Sequence, residues 1–335
     1  MSKKVVLLIN LGTPDSPKTS DVRKYLSEFL NDPRVIDIPW ILRKLLVNLI
    51  IVPFRAPKSA KIYEELWTAK GSPLLYHGLE LKELLQKELG DEYQVEFAMR
   101  YQNPHLKVVL EDIRKSNPSE IIALPLYPQY ASSSTGSTVE YLLKQISKWW
   151  VIPPIKVLGQ FYDNPLFIDS ICEQARKYDL SQYDHFLFSY HGLPVRQVDK
   201  VYDNGLCEDH DCEHEITHDN KFCYKAVSYA TTRLITDKLG IKEDMHSVAF
   251  QSRLDKNWLE PFADKKVAEF AKKGHKKILV FSPSFVSDCL ETTVEISGEF
   301  KEIFLENGGE QLDLVESLNT SPTWVKALKD IVTNG

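Results

Sequence analysis

The sequence predicts an α/β protein of two similar Rossmann-like lobes, each a parallel sheet flanked by helices. Three observations lead there. Strand-like runs of β-branched and aliphatic residues recur at 4–10, 94–99, 120–126, 185–190, 246–250 and 277–282. Helical patterns such as 77–89 and 104–115 fall between several of them, an alternation that indicates parallel strands joined by right-handed crossovers. The two halves also match each other. LPLYPQYASSSTGSTVE at 124–140 aligns without a gap on LVFSPSFVSDCLETTVE at 279–295, with six of 17 positions identical. LLINLGTP at 7–14 aligns on LFSYHGLP at 187–194, which sets Leu11 opposite His191. Two pairs in the same order, each at a strand-to-loop junction, favour a duplicated unit. A length of 335 residues is enough for two full cores.

Taken in order, MSKKVVLLINLG opens the first strand; its apolar run is too short for a signal peptide and lacks a small-residue cleavage site. IPWILRKLLVNLIIVPF at 38–54 has 12 apolar residues in 17, interrupted by Arg43, Lys44 and Asn48. That is short of the roughly 20 apolar residues of a spanning helix, and a core helix is the plain reading. The hydroxyls from Ser132 to Thr138 lack the glycine spacing and lysine of a phosphate loop; capping of the next helix accounts for them. Trp149-Trp150 followed by Pro153-Pro154 marks a boundary. The expected division is an N-terminal lobe at 1–154, a C-terminal lobe at 155–320 and a closing helix at 321–335.

The chemistry gathers at two strand ends of the second half. HFLFSYHGLP at 185–194 is strand-like until His191 and is broken by Gly192 and Pro194. ILVFSPSFVSDCLETTVEI at 278–296 ends a strand at Pro283, and the helix after it is expected to stack Asp288, Glu291 and Glu295 on one face. Ligands of open α/β sheets sit beyond the carboxyl ends of the strands. A histidine and three carboxylates there suit a divalent cation or a proton transfer. The crevice would lie between the lobes, with apolar Leu11 facing the polar groups.

Composition narrows the partners. A net charge of −6 without long basic runs argues against nucleic acid. Five cysteines and no secretion signal point to a reducing, cytoplasmic setting. Three of the five, Cys207, Cys212 and Cys223, share a 17-residue stretch with His210, His214 and His218. Such density means metal more often than redox chemistry. Zinc would take two or three of these thiolates and a histidine. A [2Fe–2S] cluster would need a fourth thiolate, for which Cys172 is the candidate.

Eight motifs in order give the chain a strong family resemblance: NLGTPDSP at 10–17, FLNDPRVIDIP at 29–39, KGSPL at 70–74, AMRYQNP at 98–104, LYPQYASSSTGS at 126–137, SYHGLP at 189–194, FQSR with Trp258 at 250–258, and SDCLET at 287–292. The chain resembles the ferrochelatases, enzymes that insert ferrous iron into a porphyrin at the end of haem synthesis. The resemblance implies a class II chelatase-like fold, with His191 and Glu291 as catalytic groups that meet the substrate Fe2+ and Glu295 and Asp288 as a relay. It implies that Leu11, Tyr63, Tyr127 and Trp258 line the porphyrin cleft, that Arg55, Lys58 and Ser72 stand near the propionates, and that Arg100 and Tyr101 lie toward the metal side. It makes 38–54 a mobile apolar lip able to touch a membrane surface, so the location becomes cytoplasmic with peripheral contact at the inner membrane. It favours the [2Fe–2S] cluster on Cys172, Cys207, Cys212 and Cys223, although the animal C-terminal cysteine extension has no counterpart here. Leu11, where the coproporphyrin III branch tends to carry tyrosine, favours protoporphyrin IX. A cobalt or nickel tetrapyrrole chelatase and a haem or iron carrier are the competing readings; the oligomer would be a monomer or homodimer.

Overall fold

The structure is a computed structural model and describes residues 2–335. Two compact units emerge: everything to Tyr127 with Ser132–Gly159 and Leu328–Gly335, and Pro128–Ala131 with Gln160–Ala327.

In the first unit, β1 (Lys4–Gly12) is followed by α1 (Thr19–Leu30), α2 (Trp40–Leu45), α3 (Val52–Leu66) and α4 (Pro73–Leu89). Then come β2 (Tyr93–Tyr101), α5 (Leu106–Lys115), β3 (Glu120–Pro125), α6 (Ser137–Ile146) and β4 (Ile155–Val157). The strands run parallel in the order β2-β1-β3-β4. β1 sits in the middle, and Val5 to Ile9 are buried, as expected of a strand covered on both faces. Val5, Leu7 and Ile9 share one core with Leu106, Leu110 and Leu142, so alternate residues of β1 meet α5 and α6. β4 pairs with β3 through Ile121, Ile122 and Ala123. It therefore carries the first unit past the proline pair to Gly159, which moves the boundary expected at 154.

The second unit repeats the plan. α7 (Pro165–Ala175) leads to β5 (His185–His191), α8 (Val195–Asp199), α9 (Tyr224–Leu239) and β6 (His246–Gln251). α10 (Ala263–Lys272), β7 (Lys277–Phe281), α11 (Lys301–Glu306) and β8 (Gln311–Leu314) follow. The order β6-β5-β7-β8 is that of the first sheet, strand for strand. Asn164 caps α7 by accepting from the N–H groups of Leu166 and Phe167 at 3.0 Å, and Gly240, at φ 68°, ends α9 in the left-handed conformation. The last helix, α12 (Pro322–Asn334), is not a separate appendage. Its Trp324 is wholly buried against Phe161 and Phe167, while Leu328 onward belongs to the first unit.

Three stretches wind as π-helix: Leu46–Ile51, Ser132–Gly136 and Glu291–Phe300. Such turns recur at functional sites. Residues 38–54 are not a core helix: Trp40, Ile41, Leu42, Leu49, Ile50 and Phe54 are all exposed, with Arg43 turned inward onto the carbonyls of Ile36 and Ile38. Among the described residues no helix is long and apolar enough to cross a membrane.

Candidate functional site

His191 is the last residue of β5, in register with Gln251 at the end of β6. The chain then turns on Gly192, whose N–H donates to the Gln251 carbonyl at 2.7 Å. A Cβ at Gly192 would stand 2.8 Å from that carbonyl oxygen and 3.2 Å from the Trp258 ring, so the approach requires glycine. The His191 ring lies 6.4 Å from Trp258 and 6.4 Å from Phe285. Its Nδ1 is 2.6 Å from the Gly192 carbonyl oxygen. A carbonyl only accepts, so Nδ1 carries a proton, and the nitrogen left to exchange a proton with a ligand is Nε2.

Gln251 joins this histidine to the acidic segment. Its side chain is oriented by Ser189, which donates to Oε1 at 2.6 Å. Its Nε2 donates to the Glu295 carboxylate at 2.9 Å and the Glu291 carbonyl at 3.1 Å. Ser252 completes the grip: its N–H reaches Glu295 at 2.8 Å and its hydroxyl at 2.5 Å. Ser252 sits at φ 60°, a left-handed conformation that costs a non-glycine residue about 1–2 kcal/mol and that aims both donors at one carboxylate. The first unit has a counterpart just past β2, where Gln102, also at φ 60°, donates its N–H to Glu28 at 3.1 Å.

Glu291 opens the π-helical turn and is half-buried. The neighbouring Cys289 thiol is buried and is pushed well up by burial first and by the Glu291 charge second. Asp288 departs from expectation. It precedes the helix and is paired with Asn319, exchanging two hydrogen bonds of 2.9 Å. The three-carboxylate face reduces to Glu291 and Glu295, because the helix begins two residues after Asp288. Gln251 and Ser252 went unrecognised as organisers in the sequence; the FQSR motif was the available signal.

In the first unit, Leu11 is half-buried at the end of β1, and Arg55 and Lys58 are exposed on α3. Tyr127 is half-buried with its hydroxyl 3.4 Å from Thr138, and burial pushes its phenol up. Tyr63 is buried, edge-on to Tyr25. Ser72 is buried against the Thr13 hydroxyl at 2.9 Å, which removes it from the propionate donors. Tyr101 is fully buried as well. It and Ser137 donate to Asp32 at 2.9 and 2.6 Å, and Arg100 closes the network with a 2.6 Å ion pair to the same oxygen. Arg100 borders an open cavity of about 1100 Å³ together with Arg23, Lys24, Lys44 and Glu28. The hydroxyls of 132–138 do not cap α6, which has no side-chain cap; Ser132 accepts from Arg34, and Ser137 serves Asp32 and Arg100.

The loop thiols form a separate centre. Cys207, Cys212 and Cys223 are buried with Sγ–Sγ distances of 3.5, 3.8 and 3.9 Å. So close together they cannot all ionise: Cys212, hydrogen-bonded to the other two, is pulled down, and Cys207 is pushed up. Cys172 does not join them. Its sulfur faces the Ile235 carbonyl at 4.0 Å, and burial pushes its thiol up to about 11. Ile235 lies twelve residues along α9 from Cys223 at the N-cap, about 18 Å at the helical rise of about 1.5 Å per residue. The donor set therefore lacks the four thiolates of an all-cysteine two-iron cluster.

The sequence matches the family described as Ferrochelatase over residues 3–335. It is 43% identical over 331 residues to a ferrochelatase of Legionella pneumophila (strain Lens), covering 98% of each chain. It is 41% identical over 327 residues to that of Coxiella burnetii (strain Dugway 5J108-111), covering 96% of this chain and 91% of the relative. Among solved structures it is similar in fold to SirB from Bacillus subtilis with Fe3+, at TM-score 0.53 and 10% identity over 99% and 96% of the two chains.

Proposed function

The chain belongs to the ferrochelatase family, and we propose from that premise that it inserts ferrous iron into protoporphyrin IX to give protohaem. Insertion replaces two pyrrole N–H protons by one Fe2+, so the enzyme must accept two protons beside a metal that is shedding water. The observation that carries the assignment of roles is the His191 tautomer: Nδ1 is committed to the Gly192 carbonyl, leaving Nε2 to take a pyrrole proton. Glu291, joined to His191 through Gln251, supplies carboxylate oxygen, which with imidazole suits Fe(II) and still allows exchange. Glu295 is a positioning residue, clamped by Gln251 and Ser252. Trp258, 6.4 Å from the His191 ring, offers apolar surface to the macrocycle, and the family resemblance assigns Leu11 to the same role and the exposed Arg55 and Lys58 to the propionates.

The exposed side chains of Trp40, Leu42, Leu49 and Phe54 support a further element of the reading. They suit a surface that rests on a bilayer, from which a poorly soluble porphyrin could be taken up, with the protein on the cytoplasmic side. The half-buried Leu11 favours protoporphyrin over coproporphyrin III.

The test is anaerobic metallation of each porphyrin by wild type and His191→Ala. Loss of the free Nε2 should cost about 10²–10⁴-fold in kcat while porphyrin binding changes little. A variant that keeps a tenth of the wild-type kcat would remove His191 as the base.

A further inference from the structure

We propose that Cys207, Cys212 and Cys223 hold a single zinc ion in a tetrahedral site, completed by a ligand that is not a thiolate. With Zn–S bonds of about 2.3 Å, two thiolates on one tetrahedral zinc stand about 3.8 Å apart. The three sulfur pairs here are separated by 3.5, 3.8 and 3.9 Å. All three edges match one face of a single tetrahedron. In a [2Fe–2S] cluster each iron carries two thiolates, so any three cysteines include a pair on different irons, held apart by the width of the Fe2S2 rhomb. No pair in this trio is spread in that way.

The surroundings fit a closed site. All three sulfurs are buried, and the amide of Asn220, itself wholly buried, points at Cys212 from 3.8 Å. The Tyr202 hydroxyl lies 3.3 Å from Cys212, with the His210 imidazole stacked on the tyrosine ring at 4.3 Å. Zinc, which has no geometric preference of its own and binds thiolate tightly, suits such a cradle.

The loop also needs an ion. Between α8 and α9, residues 200–223 hold no regular structure beyond the 3-10 turn at Cys207–Asp209. A run much longer than about 12–15 residues is unusual without a function or a fastening. Its apolar side chains cannot supply a core: Leu206, Ile216 and Phe222 are exposed, while its buried residues are the three thiols and Asn220. In small segments of this kind, metal binding supplies the folding free energy that apolar burial does not.

Metal, iron and acid-labile sulfide should be measured on the full-length protein purified anaerobically. One zinc per chain, no sulfide and no colour are expected, with Cys172→Ser retaining the zinc and Cys223→Ser losing it. If Cys223→Ser fails to fold, titrating wild type with a mercurial decides: zinc release should finish when three thiols have reacted. Exchange with Co(II) should give tetrahedral ligand-field bands with thiolate charge transfer, and chelation should expose 200–223 to protease. Two irons and two sulfides per chain would overturn the proposal. So would protein that takes up neither zinc nor Co(II).

Discussion

Replacing Gln251 by leucine tests whether the Glu295 clamp matters to turnover or only to folding. The residue is 2% exposed and makes three hydrogen bonds: from Ser189, to the Glu291 carbonyl and to the Glu295 carboxylate. Leucine keeps much of the volume and removes all three. The bond to a carboxylate is worth about 1.5–3 kcal/mol, and leaving the buried Ser189 hydroxyl unpaired adds about 1–3 kcal/mol. Together these give a destabilisation of about 2.5–6 kcal/mol, seen as a lower melting temperature. If Glu295 must be held still in the transition state, losing one of its three donors should slow kcat about ten- to hundredfold, at about 1.4 kcal/mol per factor of ten. KM for porphyrin should move less than twofold, because Gln251 is not a contact for the macrocycle. The assay is steady-state metallation well below the melting temperature of the variant. A Gln251→Leu protein that is less stable but keeps kcat within twofold would show the clamp to be structural.

The lip reading predicts that Trp40, Leu42 and Leu46 changed together to serine will stop co-sedimentation with lipid vesicles and leave melting unchanged, since all three are solvent-exposed; vesicle binding equal to wild type would refute it. His185 gives a pH prediction. Burial, with repulsion from His275 next, lowers its pKa to about 4, below the unfolded value of about 6.5. The unfolded chain therefore binds the extra proton first, and stability is full above pH 6.5 and falls as pH drops toward 4, by about 3 kcal/mol from this one group. Unfolding by denaturant across that window should show the loss, and His185→Phe should flatten it; an equal slope in the variant would exclude His185 as the source.

Much of the fold is legible in the sequence because six of the eight strands are buried runs. The β5 strand, HFLFSYH, is buried from His185 to Tyr190, and a chain that must be apolar on both faces announces itself. β4 and β8 escape notice because they are short edge strands, three and four residues long and only partly buried. The acidic ladder failed for a different reason. Spacing reports a common face only inside one helix, and Asp288 lies ahead of it, held by a residue 31 positions away. Cys172 was misplaced by the same logic: nearness in the chain to β5 says nothing of which end of α9 its sulfur meets.

The duplication gives the remaining step. Both sheets have one strand order, and the second strand of each is closely followed by a residue at φ 60° whose N–H is given to a carboxylate, Glu28 in one and Glu295 in the other. That shared corner belongs to the scaffold of both units. What differs are two aligned positions, Leu11 near the end of β1 against His191 at the end of β5, and Gly136 against Glu291 in the π-helical turns that follow the third strands. In the first half the polar groups Asp32, Arg100, Tyr101 and Ser137 are buried and satisfy one another. A buried ion pair of this kind is costly to break, about 3–5 kcal/mol when one partner is removed. Arg100 and Tyr101 are therefore held as structure, which accords with assigning the proposed proton chemistry to His191 and Glu291 of the second half.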